Sequence, residues 1–397
     1  MEFVSDTIFL NTSTTFRYSN QIELLREDWA MVNSKNLYLS IDYLKALENS
    51  FINNISYVYV VVYQNNTPIV IVYLQRITVQ DNFFTQEKFP SEIKSQLILN
   101  FLKRNNGSLL LCGNFFATGV NGYDYSNNHT IEPEVLLSVT NKLSHLLNTK
   151  KDISPIKLIL FKEFLLEKEK VVQQKLENKT RRFQIDVNMI LKLKENWISF
   201  ELYLESMNTK YRTKAKSIYK KTQNITSKEF TAYEIHSNSL EIEKLFTSVL
   251  NTASFNMLEL TVTSFYELKK QLENQFVFTA YFIETKMIGF STACINHTYL
   301  DANYVGIDYK INKQYPLYQR ILFDYVKLGI NKQAKELRLG RTAETIKSSL
   351  GAVPVEMNLY LKHTNPFIQF ALSPLLKYVK PSTFEVRSPF KNVIKSA

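Results

Sequence analysis

The stretch from Tyr299 to Leu361 constrains the fold of this chain more than any other. Its pattern predicts a strand over Leu300–Asp308, a loop over Tyr309–Pro316 and a helix from Leu317 to about Asn331. A short strand over Glu336–Leu339 follows, then Gly340-Arg341-Thr342, a short helix ending near Leu350-Gly351 and a closing strand over Val353–Leu361. Strands joined through a helix whose N-terminus meets a strand's C-terminal edge make an anion-binding crevice. The loop before the helix carries Lys313, Gln314 and Tyr315, with Pro316 at or beside the first helical position, where a missing N–H costs nothing. The second loop offers Arg341 and Thr342 at the next strand edge.

The rest of the chain divides in a way that supports this stretch. At 397 residues, two domains of roughly 150–200 residues each are expected, with a boundary placed between 1–182 and 183–397. In the first half, Leu37, Ile41, Leu44 and Leu47 form one helical stripe with Ser40 as its cap. Val-, Ile- and Tyr-rich runs predict strands at Tyr57–Tyr63 and Ile69–Leu74 around a polar turn, then at Ser108–Cys112. A helix is expected over Glu132–Leu147, a strand over Ile156–Phe161, a charged helix from Leu165 to about Leu176 and a strand over Phe183–Leu193. The second half reads as one long helix over Ser199–Thr222, a strand over Phe230–Ile235, helices over Leu240–Leu250 and Val262–Leu272, and a hairpin over Phe276–Ile295. The two halves share an order of elements, and their closing strands rhyme: FQIDVNMILKL against VPVEMNLYLKH. The expected fold class is α/β, with α+β mixed sheets in two domains related by internal duplication.

Charge and composition narrow the partners. The net charge of +11 suits nucleic acid, an anionic lipid surface, a phosphorylated cosubstrate or an acidic carrier protein. No apolar run reaches the length of a membrane span, and Met1–Leu10 has no basic leader region. Cys112 and Cys294 sit in apolar runs and read as buried thiols of a reducing compartment. A cytoplasmic protein is expected, one that could touch the inner face of the membrane. The histidines are scattered, with no metal-ligand spacing and no Cys–His or Ser–His–Asp arrangement.

Three pieces of the sequence resemble the GNAT-superfamily acyltransferases in their tandem, Fem-type (peptidoglycan-linked transferase) arrangement. They are YLESMNTKYRTKAKSIYKK (Tyr203–Lys221), the strand–loop–helix Leu300–Gly329, and LRLGRTAETIKSSLGAVPVEMNLYLK (Leu337–Lys362). LYLSIDYLKALENS is the most family-like piece of the first half. The resemblance implies two domains of the acyl-CoA N-acyltransferase fold and direct acyl transfer in a ternary complex. Acetyl-CoA-using members carry Arg/Gln-x-x-Gly-x-Gly/Ala at the phosphate loop; here Lys313-Gln314-Tyr315-Pro316-Leu317-Tyr318 has no glycine.

The leading expectation is an N-acyltransferase with no tightly bound cofactor and no metal. It would move an acyl group from a long-chain acyl-CoA or acyl carrier protein to a primary amine, in amino-lipid synthesis. The rival enzyme reading is a Fem-type transferase using aminoacyl-tRNA and a peptidoglycan precursor, and the non-enzyme reading is a GNAT-like binding module. DNA is not an expected partner. Asp308, Tyr309 and Arg341 are the candidate catalytic residues. Lys313, Gln314, Tyr315, Tyr318, Thr342 and Lys347 are the candidate donor- or phosphate-binding residues. Lys210, Arg212, Lys214 and Lys216 form a basic row for an anionic carrier, tRNA or lipid headgroups. The first half lacks the Gly-Arg pair at its matching loop, Lys162-Glu163-Phe164, and is expected to shape the acceptor cleft rather than hold a complete site.

Overall fold

The computed structural model describes residues 3–78, 107–126, 133–149, 154–165, 170–177, 179–252, 260–376 and 383–391. The chain forms two compact units. The first comprises Met1–Ile185, Ser254–Leu260 and Glu356–Pro381; the second comprises Asp186–Ala253, Thr261–Val355 and Ser382–Ala397.

The first unit starts with β1 (Ile8–Phe9), β2 (Thr14–Ser19), α1 (Arg26–Met31) and α2 (Ile41–Asn49). The Ser40 side chain caps α2 by accepting from Tyr43 N at 3.2 Å, the bond that makes serine a favoured cap. Strands β3 (Ile55–Gln64) and β4 (Thr67–Thr78) are apolar on both faces. They turn at Asn65 and Asn66, whose φ values of +48° and +65° are those of the tight turn matching strand twist. Next come β5 (Ser108–Cys112), β6 (Tyr123–Tyr125), α3 (Pro133–Asn148), β7 (Ile156–Leu165), α4 (Lys170–Glu177) and β8 (Arg181–Phe183). Neighbours from β1 to β5 pair antiparallel, β5 pairs parallel with β7, and Leu136, Leu137, Val139 and Leu143 of α3 sink into the core beneath.

The second unit contains β9 (Val187–Lys192), α5 (Phe200–Ser206), α6 (Thr209–Lys221), β10 (Ile225–Glu229), α7 (Ala232–Ser237), α8 (Ser239–Leu250) and α9 (Val262–Leu272). It continues through β11 (Phe276–Ile283), β12 (Lys286–Asn296), β13 (Tyr299–Ile307), α10 (Tyr309–Gln314), α11 (Leu317–Asn331), β14 (Glu336–Arg338) and α12 (Glu344–Ser348). The last elements are β15 (Val353–His363) and α13 (Pro366–Leu376). The sheet runs β9-β14-β13-β12-β11-β10, antiparallel except for the β13–β14 pair. Helix α11 buries Leu317, Ile321, Leu322, Tyr325, Val326 and Ile330 against it.

Several expectations are corrected. The helix expected over 199–222 is two helices, because Met207 turns extended and bridges to Phe390, whose ring packs on Trp197 and Tyr203 at 5.2 and 6.0 Å. The strand expected over Phe230–Ile235 is helix α7, started by a reciprocal capping box between Thr231 and Glu234. The strand expected over Phe183–Leu193 breaks at 184–186 into β8 and β9. The two rhyming strands also do not close the halves that precede them. β9 pairs with β14 in the second unit, while the end of β15 pairs with β7 and β8 in the first. Residues 356–381 therefore lie with the first unit, although the sequence places them in the second half.

Candidate active site

The site begins where two parallel strands part. β13 and β14 pair only over Tyr299↔Glu336, Leu300↔Leu337 and Asp301↔Arg338. Beyond that, β13 continues to Ile307, while the chain after β14 turns to β9 through Leu339 N→Met189 O (2.8 Å) and Met189 N→Gly340 O (3.0 Å). Among the described residues no strand continues the β13–β14 ladder past Asp301 and Arg338 on this side. On its other side β13 bulges, with Asn303 and Tyr304 set opposite Thr292. Tyr304 N donates to Thr292 Oγ1 at 2.9 Å, and the Tyr325 hydroxyl of α11 donates to Thr292 O at 3.0 Å. Bulges at such places re-aim the backbone and side chains around a site.

The mouth of this splay is the loop after β14. Gly340, Thr342 and Ala343 have φ values of +70°, +63° and +51°. The left-handed region costs about 1–2 kcal/mol for each of the two non-glycine residues, so the surroundings must hold the loop. Lys347 of α12 does so: its side chain is only 4% exposed, and its ammonium nitrogen donates to the Arg341 carbonyl. Burial lowers Lys347 to about 7, against a smaller opposing effect of Glu344. The Arg341 side chain is 30% exposed and faces Asp186 at 4.0 Å. Burial brings its guanidinium down to about 10, still a cation at neutral pH. Burial, and then the neighbouring Glu344, raise the Asp186 carboxyl above its ordinary value. The Tyr318 phenol is pushed up to about 12 by burial, then by Tyr309 and Glu344. Asp186, Tyr309, Tyr318, Arg341, Glu344 and Lys347 therefore form one interacting group. Neither Asp186 nor Glu344 is singled out by sequence; the available signal for Asp186 is its match to Glu356 in the rhyming strands.

The low value for Lys347 has a consequence for stability. Between about 7 and its ordinary value the unfolded chain holds a proton that the folded chain does not, so stability from this group rises with pH across that window. Lys347→Met removes the rise. Thermal midpoints of wild type and variant, compared between about pH 6 and pH 10, should diverge in favour of wild type as pH increases. Parallel profiles would assign the titration elsewhere.

The other predicted residues are placed as follows. The loop expected over Tyr309–Pro316 contains helix α10, because the Asp308 carboxylate caps it, accepting from Lys310 N at 3.0 Å and Ile311 N at 3.4 Å. With Lys286 also 3.5 Å away, Asp308 is engaged as a cap, and its geometry offers no reason to make it the base. Tyr309, at 38% exposure, shares a hydrogen bond with Thr252 Oγ1 at 3.0 Å. Lys313 and Gln314 lie on the exposed side of α10, and Gln314 Nε2 reaches the Tyr315 hydroxyl at 3.5 Å. Two of the first N–H groups of α11 are already used: Leu317 N donates to Tyr315 O (2.6 Å) and Tyr318 N to Asn312 Oδ1 (3.0 Å). A helix start whose amides are taken does not cradle a diphosphate, so the coenzyme A diphosphate does not fit here in the manner of a glycine-rich loop.

The basic row meets the site from another direction. Tyr211, Lys214 and Ile218 of α6 line a narrow crevice with Gln319, Leu322 and Phe323 of α11 and with Ile346, Ser349 and Leu350 at α12. Lys210, Lys214 and Lys216 are exposed and Arg212 half-buried. Among the described residues no group of His, Cys, Asp and Glu is placed to hold a metal ion, and no helix is long and apolar enough to cross a membrane.

No protein-family model and no curated protein matches the sequence. Solved structures do match. The structure of FemX has a TM-score of 0.53 at 10% identity, covering 88% of this chain and 98% of its own. A conserved protein of unknown function from Bacteroides thetaiotaomicron has a TM-score of 0.50 at 10% identity, covering 87% and 98%. A tandem GNAT protein from the clavulanic acid biosynthesis pathway has a TM-score of 0.48 at 7% identity, covering 87% and 95%. The fold is like that of FemX, in keeping with the tandem, Fem-type arrangement that the sequence resembles. In those terms β13 and α11 are the strand and helix of the strand–loop–helix that the Leu300–Gly329 resemblance implied, with the short helix α10 inside its loop.

Proposed function

We propose that the second unit transfers an acyl group from an activated ester or thioester to a primary amine, with the donor presented on an acidic macromolecular carrier. The observation that carries this reading is the splayed β13–β14 edge with Arg341 at its mouth, next to a glycine-free helix start with two of its first amides taken and a basic row open to solvent. The donor carbonyl would lie beside β13 past the point where β14 leaves it, with Arg341 facing the oxygen that gains charge. Asp186, whose carboxyl is raised, would take the proton of the acceptor ammonium. The amine nitrogen then bonds to the carbonyl carbon and the ester or thioester bond breaks. Tyr318, still protonated at neutral pH, would give its proton to the leaving group and regain one from the nitrogen as the amide forms.

The test ranks donors by thermal shift and by transfer to a simple amine. Acylated carrier protein or aminoacyl-tRNA should stabilise the protein and support transfer, with salt weakening both. Stabilisation and transfer with tRNA alone would select the aminoacyl reading, and with carrier protein alone the fatty-acyl reading. Equal transfer from free palmitoyl-CoA would refute the role given to the macromolecular carrier.

A further inference from the structure

Helix α13 contains no charged residue along PFIQFALSPLL. Its described exposed positions are nevertheless apolar. Phe367 is 84% and Phe370 79% exposed, and Pro374 is exposed one turn further. Positions i, i+3 and i+7 share one helix face, so this is a continuous apolar stripe turned outward where a water-facing helix would carry charge. The helix is firmly seated. The Asn365 side chain caps it, accepting from Phe367 N (2.9 Å) and Ile368 N (3.3 Å). Gln369 ties it back to β15 by accepting from His363 N at 2.6 Å, and Thr364 N donates to Lys157 O at 2.9 Å. The apolar face is therefore displayed by a fixed element.

Among the described residues the charges on the neighbouring strands are mostly cations. Lys157 lies on β7, Lys362 near the end of β15, and Lys179, Arg181 and Arg182 at β8, the strand beside which α13 packs. Glu177 is spent on Arg182 at 3.2 Å. The closeness of Lys179 depresses Lys362 after the larger effect of burial, a sign that the cations crowd one another. An apolar stripe bordered by cations matches an anionic bilayer surface, where rings enter the acyl boundary and lysines meet the headgroups.

We propose that α13 is an interfacial helix that docks the first unit on an anionic lipid surface through Phe367 and Phe370. This goes beyond the transfer reaction and does not depend on it. The experiment is co-sedimentation of the full chain with vesicles of equal phosphatidylglycerol and phosphatidylcholine, and with vesicles of phosphatidylcholine alone. The comparison variant is Phe367→Ser/Phe370→Ser, whose thermal midpoint should match wild type because both rings are exposed. Wild type should bind the anionic vesicles at least about tenfold better than the double variant does, and high salt should weaken its binding. Absence of wild-type binding at low salt, or equal binding by the double variant, would overturn the proposal. So would concentration-dependent self-association that the double variant abolishes, since the stripe would then be covered by a second copy.

Discussion

If the proposed transfer holds, Arg341→Ala should lower kcat/KM by about 10²- to 10³-fold in the transfer assay, the size of effect seen when one donor to a developing oxyanion is removed. The thermal midpoint should hardly move. Its partner Asp186 is 4.0 Å away and the guanidinium is 30% exposed, and pairs of that kind contribute about 0–1 kcal/mol. Arg341→Lys should restore only part of the rate, because an ammonium lacks the planar fork that can face a carbonyl oxygen and a neighbouring group together. Loss of activity with a collapsed midpoint would make Arg341 a structural residue of the strained loop. Full activity in the alanine variant would remove it from the site.

The elements that were legible in sequence are those set by local chemistry. Ser40 marks the start of α2, the apolar run Ser108–Cys112 is β5, and the stripe Leu317 to Ile330 is α11. The Thr231–Glu234 capping box was also written in the chain, and the strand assigned there overlooked it. Asp308 gave a similar signal, since an aspartate before a short run ended by proline starts a helix as readily as it serves a reaction. What could not be read is the partnering of β9 and β15. Both carry the same alternation around an Asx or Glx residue and a central Asn, so either fits either sheet edge, and only the folded chain decides. That choice also hid the site. Lys347 is one turn from the Arg341 loop in sequence, but Asp186 reaches Arg341 only because β9 joins β14.

The largest stability effect is expected in the first unit, at Lys162 and Glu163. The sequence reads them as a loop; the structure places them inside β7 as a bulge, because Phe161 pairs with Tyr360 and Phe164 with Asn358, leaving both opposite Leu359. Their side chains are 6% and 1% exposed and pair at 2.8 Å. Lys162 Nζ also donates to Ala117 O at 2.7 Å, and Glu163 Oε2 accepts from Gly119 N at 2.6 Å. Glu163 holds φ at +61°, a strain the pair must offset. Lys162→Met, which takes the ammonium away from the buried carboxylate, should cost about 3–5 kcal/mol in urea unfolding. Lys162→Met/Glu163→Gln should recover much of that, because the buried charge is gone and Gly119 N keeps an acceptor. A single-variant cost under about 1 kcal/mol would mean the pair is hydrated. The contrast with the second unit gives the pair its meaning. There the parallel strands part after Asp301 and Arg338, whereas β5 and β7 stay paired through Cys112 and Phe161, and the next residues of β7 bind the 117–119 backbone. In the first unit the ion pair ties the 117–119 backbone to β7, where in the second unit the parallel strands part.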